Sequence, residues 1–170
     1  RTDEPMSRHT TFRVGGPADY FLTPGEAELV PVIKLLKEEQ IPLQIIGNGS
    51  NLLVGDKGIR GAVVEIGTRL NGVSVEGTHL VAHAGVSLAR AAQAAARAHL
   101  SGLEFASGIP GTVGGAVVMN AGAYGGEMKD VVEQVQILCG NGELKTLGGE
   151  EMEFSYRHSI VPKLQGIVVK

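Results

Sequence analysis

The sequence predicts a mixed fold of helices and strands, built as one domain or as two small lobes sharing a core. Three observations point there. Short apolar runs of strand length alternate with two stretches of helical periodicity. The chain has 170 residues, the size of one domain, and a hydrophobic share of 43% against a charged share of 19%. It carries 25 glycines, about 15% of residues against an average of about 7%, without the proline content of a low-complexity chain. Such a chain folds, and it needs many backbone positions free of a Cβ.

The elements follow in order. Asp19-Tyr20-Phe21-Leu22 reads as a short strand. Thr23-Pro24-Gly25-Glu26 predicts a helix start, with Thr23 as cap, Pro24 in the first position and Glu26 completing a capping box. Leu29, Val32, Ile33 and Leu36 then fall on one helical face, and Pro31 predicts a kink or a later start. Ile41-Pro42 ends that helix, and Leu43-Gln44-Ile45-Ile46 reads as a buried strand. Gly61-Ala62-Val63-Val64-Glu65-Ile66 reads as another. Val73-Ser74-Val75 and Leu80-Val81-Ala82-His83-Ala84 pair about a Glu76-Gly77-Thr78 turn. Ser87 caps a second helix, whose Leu88, Ala91, Ala92 and Ala95 imply close packing on a sheet while Arg90 and Arg97 stay solvated. Val135-Gln136-Ile137-Leu138 and Glu143-Leu144-Lys145-Thr146 flank an Asn141-Gly142 hairpin signal, and Gly166-Ile167-Val168-Val169-Lys170 reads as strand. A break between lobes is expected near residue 68, giving lobes of about 1–68 and 69–170.

Several function classes are disfavoured. The net charge of −3 gives no electrostatic footprint for nucleic acid. No apolar run approaches the ~18 residues of a membrane span. The polar, partly acidic start predicts no signal peptide, and the absence of a leading Met predicts a trimmed chain. The single Cys139 cannot form an internal disulfide and points to a reducing compartment. His79 and His83 lie four apart without an acidic or Cys cluster, so they read as turn or core residues rather than zinc ligands. His9, His99 and His158 have no assignable partner.

Chemistry concentrates in three glycine-rich segments. The first is Val14-Gly15-Gly16-Pro17-Ala18. The second, Ile46-Gly47-Asn48-Gly49-Ser50-Asn51-Leu52-Leu53-Val54, directly follows a strand. Its turn exposes successive N–H groups and is either a phosphate-binding nest or an ordinary strand-ending turn. A third Rossmann glycine is missing, and Gly-Lys-Ser/Thr occurs nowhere, which disfavours a classical dinucleotide fold and a nucleotide triphosphatase. The third segment holds Gly108, Ile109, Pro110, Gly111, Thr112, Val113, Gly114, Gly115 and Ala116, and runs on through Asn120, Gly122, Ala123 and Tyr124 to Gly126. Glycine weakens regular structure, so core packing does not justify this stretch, whereas a flat ligand lying on the main chain does. Ile109, Val113, Val117, Val118 and Met119 are expected to seek burial. Finally, Phe154-Ser155-Tyr156-Arg157-His158-Ser159 groups polar functions around an arginine whose fork of donors suits a carboxylate or an enolate.

Together these segments carry a resemblance. His9-Thr10-Thr11-Phe12-Arg13-Val14-Gly15-Gly16-Pro17-Ala18, Gly47-Asn48-Gly49-Ser50-Asn51-Leu52, Gly102-Leu103-Glu104-Phe105, Gly108-Ile109-Pro110-Gly111-Thr112-Val113-Gly114-Gly115-Ala116, Met119-Asn120-Ala121-Gly122-Ala123-Tyr124-Gly125 and Tyr156-Arg157-His158-Ser159 are similar, in order and spacing, to the UDP-N-acetylenolpyruvoylglucosamine reductase family of bacterial peptidoglycan synthesis. The resemblance implies an α+β, two-lobed FAD-binding domain of the vanillyl-alcohol-oxidase type. It implies non-covalent FAD, NADPH as hydride donor, and a cytoplasmic enzyme that reduces a UDP-sugar enolpyruvyl ether to UDP-N-acetylmuramate. Gly47, Asn48, Gly49, Ser50, Asn51 and Leu52 would cradle the pyrophosphate. Gly108, Ile109, Pro110, Gly111, Thr112, Gly114, Gly115, Ala116, Asn120, Gly122 and Ala123 would line the rest of the cofactor. Arg157 matches the arginine that stabilises the enolate-like charge. The family's proton donor and a catalytic Glu lie in a C-terminal substrate domain that this sequence does not include, so the chain is expected to hold FAD without full activity. The rival readings are an oxidase on the same scaffold with covalent flavin, a non-catalytic nucleotide-binding domain, and a plain structural domain.

Overall fold

Strand β4 (Ile59–Glu65) organises the first half of the chain, because Gly61, Ala62, Val63 and Val64 are all buried, as in a strand covered on both faces. A computed structural model describes residues 1–170, and the chain divides into two compact units, Arg1–Arg69 and Leu70–Lys170.

In the first unit β1 (Thr2–Pro5) runs antiparallel to β2 (Pro17–Leu22), β2 runs parallel to β4, and β3 (Leu43–Ile46) runs parallel to β4 from the other side. The sheet order is therefore β1-β2-β4-β3. This corrects one expectation: β3 is an edge strand, and only its Ile46 is buried. Met6, Ala18, Phe21, Ile46, Val54 and Val63 form the core, with Leu52 and Ile59 packed against it.

Helix α1 (Glu26–Glu38) buries Leu29, Ile33 and Leu36, three members of the expected face, while Val32 is half-buried. Its start lies further on than the sequence suggests. Gly25 is the cap in place of Thr23, because Glu28 reaches back to the Gly25 N–H at 2.9 Å and is itself clamped by Arg69 at 2.8 Å. Pro31 neither delays nor ends the helix. It deprives the Ala27 carbonyl of its helical partner, but Ala27 is exposed and water can serve it. At the far end Gln40 takes the left-handed position (φ 54°), and Ile41 N–H donates to Leu36 O at 2.8 Å, closing the helix where glycine is the usual residue.

The second unit opens with the hairpin β5 (Val73–Glu76) and β6 (His79–Ala82), turned at Gly77-Thr78. Helix α2 (Leu88–Arg97) follows, capped by Ser87, whose Oγ accepts from Arg90 N–H at 3.3 Å. It buries Leu88, Ala91 and Ala95 and leaves Arg90 and Arg97 exposed. Helix α3 (Val113–Val118) and the short hairpin β7 (Gly122–Ala123) and β8 (Gly126–Glu127) come next. A three-stranded antiparallel sheet completes the unit, with β9 (Gln134–Leu138) between β10 (Leu144–Gly148) and β11 (Ile167–Val168). Val135, Ile137 and Leu138 of β9 are almost wholly buried. No helix in the chain is long and apolar enough to cross a membrane.

Replacing Pro31 by Ala restores the missing helical N–H and removes the ring from an exposed helix interior. We expect Pro31→Ala to stabilise the chain by about 1–3 kcal/mol, less the unfolded-state entropy that proline withholds. Urea unfolding checks this, and a lower midpoint for the variant would show that Pro31 is needed for the shape of α1.

Candidate cofactor and active site

The loop after β3 is suspended between two core residues, Ile46 and Val54. In between, the backbone N–H groups of residues 47–52 donate to no backbone carbonyl. Asn48 and Asn51 are exposed, Gly47, Ser50 and Leu52 are half-buried, and Gly49 is buried with φ +66°. A run of unspent N–H groups beside Ser and Asn side chains is a ready anion seat.

The first glycine segment does not line this seat; it carries the seat's support. A Cβ on Gly16 would lie 2.0 Å from Asp56 O, and one on Gly15 2.7 Å from Val54 Cβ. Gly16 N–H donates to Gly55 O at 3.0 Å. Residues 9–11 run beneath Gly49, whose Cβ would meet His9 O at 2.0 Å, and Thr11 N–H donates to Gly49 O at 3.3 Å. Thr10 is buried and ties this stretch to Val14 O through its Oγ1 at 3.1 Å.

In the second unit, residues 84–88 hold the start of the third segment. Leu88 N–H donates to Gly111 O (3.0 Å), Val113 N–H to Val86 O (2.8 Å) and Gly114 N–H to Ala84 O (2.9 Å). Thr112 is buried and caps α3, its Oγ1 accepting from Gly115 N–H at 3.4 Å. The glycines then sort into two kinds. Gly114 and Gly122 are demanded by packing, since their Cβ atoms would lie 2.7 Å from Ala84 Cβ and 2.6 Å from Gly126 O. Gly108 has nothing within 4 Å of its Cβ position, and Gly115 only Thr112 Oγ1 at 3.5 Å. Both are exposed, as is Pro110, while Ile109, Gly111 and Ala123 are half-buried and Ala116 is buried. Of the apolar residues expected inside, Val117 is buried; Ile109, Val113, Val118 and Met119 are half-buried. The half-buried state leaves apolar surface beside the open glycines.

Asn120 plays a part that sequence reasoning missed. It sits in the left-handed region (φ 41°) and is 4% exposed. Its Nδ2 donates to Glu127 Oε2 (2.7 Å) and Ser155 O (3.1 Å), and its Oδ1 accepts from Lys129 N–H (2.9 Å). The side chain is thus spent on the protein, and it ties α3 to the segment carrying Arg157. Ser159, wholly buried, makes the second tie by donating to Val118 O at 2.8 Å. Between these anchors Ser155 and His158 exchange backbone hydrogen bonds at 3.2 and 3.1 Å. Tyr156 and Arg157 form the exposed tip of the resulting turn, with Arg157 at φ 55°. The turn therefore presents a guanidinium from a base tied at one end to Val118 of α3 and at the other to Asn120 just beyond it.

The histidines differ in their surroundings, and His79, expected in a turn or the core, lies exposed on β6. His79 pairs on the surface with Glu133 at 2.7 Å, His83 is half-buried, and no group of His, Cys, Asp and Glu is arranged to hold a metal ion. Cys139 is buried and unpaired. His9 has clear partners. Its Nε2 lies 2.9 Å from Glu4 Oε1, and its ring stacks on Phe21 with centroids 3.8 Å apart. The hydrogen bond from His9, helped by Arg1 at 3.0 Å, holds the Glu4 carboxyl below the ordinary carboxylate range against the opposing effect of burial. Burial pushes the half-buried Glu65 the other way, against the attraction of His9 and Arg1. No periodic signal links Glu4 to His9, because the short 3-10 turn Met6–Arg8 intervenes.

Two outcomes follow. A carboxylate with a depressed folded pKa contributes stability above its unfolded value, about 4.3 for Glu, and loses it as pH falls through the folded value. We therefore expect Glu4→Gln to lower stability at pH 7 and to flatten its acid-side loss, so that the two urea midpoints converge as the pH falls through the depressed folded value of Glu4. Ser159→Ala should loosen the Arg157 turn and speed trypsin cleavage after Arg157 relative to other sites; an unchanged rate would mean the Val118 tie does not hold it.

Comparison with known proteins completes the picture. Residues 18–148 match the FAD binding domain family. The chain is 54% identical to UDP-N-acetylenolpyruvoylglucosamine reductase of Agathobacter rectalis, covering 98% of this chain and 57% of that protein. It is also 54% identical to the reductase of that name from Caldanaerobacter subterraneus, covering 99% of this chain and 56% of the relative. The chain thus spans a little over half the length of these relatives. The crystal structure of UDP-N-acetylenolpyruvylglucosamine reductase from Thermus caldophilus superposes with a TM-score of 0.80 at 40% identity, over 97% of this chain and 58% of that one. A solvent-stable cholesterol oxidase shares the fold alone, with a TM-score of 0.71 at 16% identity over 99% of this chain and 36% of that one. The α+β fold expected from the sequence is the one observed, and the chain belongs to the FAD-binding domain family.

Proposed function

We propose that the chain seats non-covalent FAD for the NADPH-dependent reduction of UDP-N-acetylglucosamine enolpyruvate to UDP-N-acetylmuramate, a step of peptidoglycan synthesis in the cytoplasm. Bound FAD supplies the relay of a hydride from NADPH to the enolpyruvyl group. The residues of the chain do the rest. The N–H groups of residues 47–52 receive the pyrophosphate, which their unspent state supports. Gly108, Gly111, Thr112, Gly115 and Ala116 offer main chain against which a flat ring system can lie. Asn120 acts from beneath, by fixing the position of that main chain. Arg157 meets the substrate carboxylate and the negative charge that develops beside it, since a guanidinium keeps its proton and binds carboxylate oxygens in bidentate fashion.

Gly115 carries this reading. Glycine in a helix costs about 1 kcal/mol relative to alanine. Nothing in the chain requires it there, because a Cβ would find only ordinary van der Waals contact. The residue is explained by a ligand that needs the space, and the family's cofactor is such a ligand.

The test uses opposite signs. Gly115→Leu should leave the ligand-free melting temperature unchanged or higher, yet raise the Kd for FAD about tenfold or more, read by flavin fluorescence. Acid precipitation of the loaded wild-type chain should release the flavin into the supernatant. Unchanged FAD affinity in the variant would remove the third segment from the site, and flavin retained in the pellet would favour a covalent oxidase-type flavoprotein.

A further inference from the structure

The phosphate seat has a floor, and the floor has a fixed point outside the site. Gly49 is buried in the left-handed region with the His9 carbonyl where its Cβ would be, 2.0 Å away. Thr11 N–H, two residues on, donates to Gly49 O. The height of residues 9–11 therefore sets the height of the loop. Their far side is fixed by Thr10 Oγ1 on Val14 O and by Arg13 N–H on Thr10 O at 3.1 Å. On the near side His9 is held three ways: by its N–H on Met6 O at 2.9 Å, by its ring on Phe21, and by its Nε2 on Glu4 Oε1 at 2.9 Å.

Glu4 is 7% exposed and Phe21 3%, so both clamps are anchored in the core side of the sheet. The His9 side chain is only 13% exposed. The other charges around this pair are Arg1, Arg8 at 3.8 Å from Glu4, and Glu65 on β4, whose partner in β3 is Ile46, the residue immediately before the loop.

We propose that His9 is a positioning residue for the loop of residues 47–52: Glu4 and Phe21 fix its ring, and its backbone fixes Gly49. The proposal rests on reading that loop as the seat of the FAD pyrophosphate. His9 itself touches neither the cofactor nor the substrate. It acts by keeping the N–H groups of the loop converged on one point, which a peptide shift of a few tenths of an ångström would spread.

The experiment titrates FAD into the chain by flavin fluorescence and records 31P spectra of the saturated complexes. His9→Ala should raise the Kd about tenfold and shift the two pyrophosphate resonances. His9→Gln, whose side-chain amide can still donate to Glu4, should restore most of both. Glu4→Ala should weaken FAD binding in the wild-type background and add nothing in the His9→Ala background, as residues acting through one another do. A Kd for His9→Ala within about twofold of wild type would overturn the proposal, even if the melting temperature fell. So would a loss that His9→Gln does not relieve, or Glu4→Ala effects that add fully. Gly49→Ala separates the two readings: it forces a Cβ into the His9 carbonyl and must weaken FAD binding if the loop seats the pyrophosphate. Should Gly49→Ala and His9→Ala both leave FAD affinity unchanged, the phosphate reading itself has failed.

Discussion

Main chain lying directly on main chain, with no side chain between, is the constraint on which the first unit depends. A Cβ on Gly58 would lie 1.8 Å from Pro17 O, one on Gly16 2.0 Å from Asp56 O, and one on Gly49 2.0 Å from His9 O. Three stretches, around residues 9–17, 47–52 and 54–58, are thereby locked together through peptide groups. Peptide groups bring fixed dipoles and carry no rotamer entropy, so a loop built on them is ordered by the chain itself. Side chains could hold the same loop only at a greater distance and with more freedom. The second unit uses the device at Gly122, whose Cβ would lie 2.6 Å from Gly126 O, and at Gly149, 2.3 Å from Val132 O, whereas Gly114 makes room for the Ala84 methyl group.

The second unit adds local strain to this economy of space. Asn120, Tyr124 and Arg157 all occupy the left-handed region, at φ 41°, 54° and 55°, which costs a non-glycine residue roughly 1 kcal/mol or more. Each is held by its surroundings. Asn120 has three side-chain hydrogen bonds, Tyr124 sits with Gly125 in the tight turn between β7 and β8, and Arg157 sits in a turn closed at its base by Ser155 and His158. Asn120 couples these strained points, since its amide reaches both Glu127 of β8 and Ser155 at the base of the Arg157 turn. The exposed tip keeps its freedom of rotamer while its base is fixed.

Much of this was legible in the sequence where a local rule has one outcome. The β5–β6 turn, the Ser87 cap, the solvated Arg90 and Arg97, and the hairpin at Asn141-Gly142 follow from spacing and turn chemistry alone. The misreadings occur where a distant residue decides. Thr23 is as good a cap as Gly25 by composition, but Arg69 draws Glu28 into place and selects Gly25. Leu43-Gln44-Ile45-Ile46 is apolar enough for a central strand, yet the edge position is set by where β4 returns. The partners of His9 were invisible for the same reason: Phe21 approaches it only after β1 and β2 have paired. The resemblance put Asn120 beside the cofactor, but its partners within the chain, as far away in sequence as Ser155, could not be read from the glycines around it.

The glycines show most plainly why a sequence of this kind is half readable. Gly114 and Gly115 are adjacent, in one short helix, and nothing in the sequence tells them apart. One is glycine because a methyl group would strike Ala84; the other stands where the protein leaves room for a side chain. The first reason is internal to the chain and would hold for any function. The second glycine finds no reason in the packing of the chain itself. Sorting glycines by what a Cβ would meet therefore separates those that packing demands from those that packing leaves open. In the motifs singled out from the sequence, packing demands Gly15, Gly16, Gly49, Gly114 and Gly122 and leaves Gly108 and Gly115 open. A change at one glycine of a single motif thus has opposite consequences for stability depending on whether its Cβ meets packed atoms or open space.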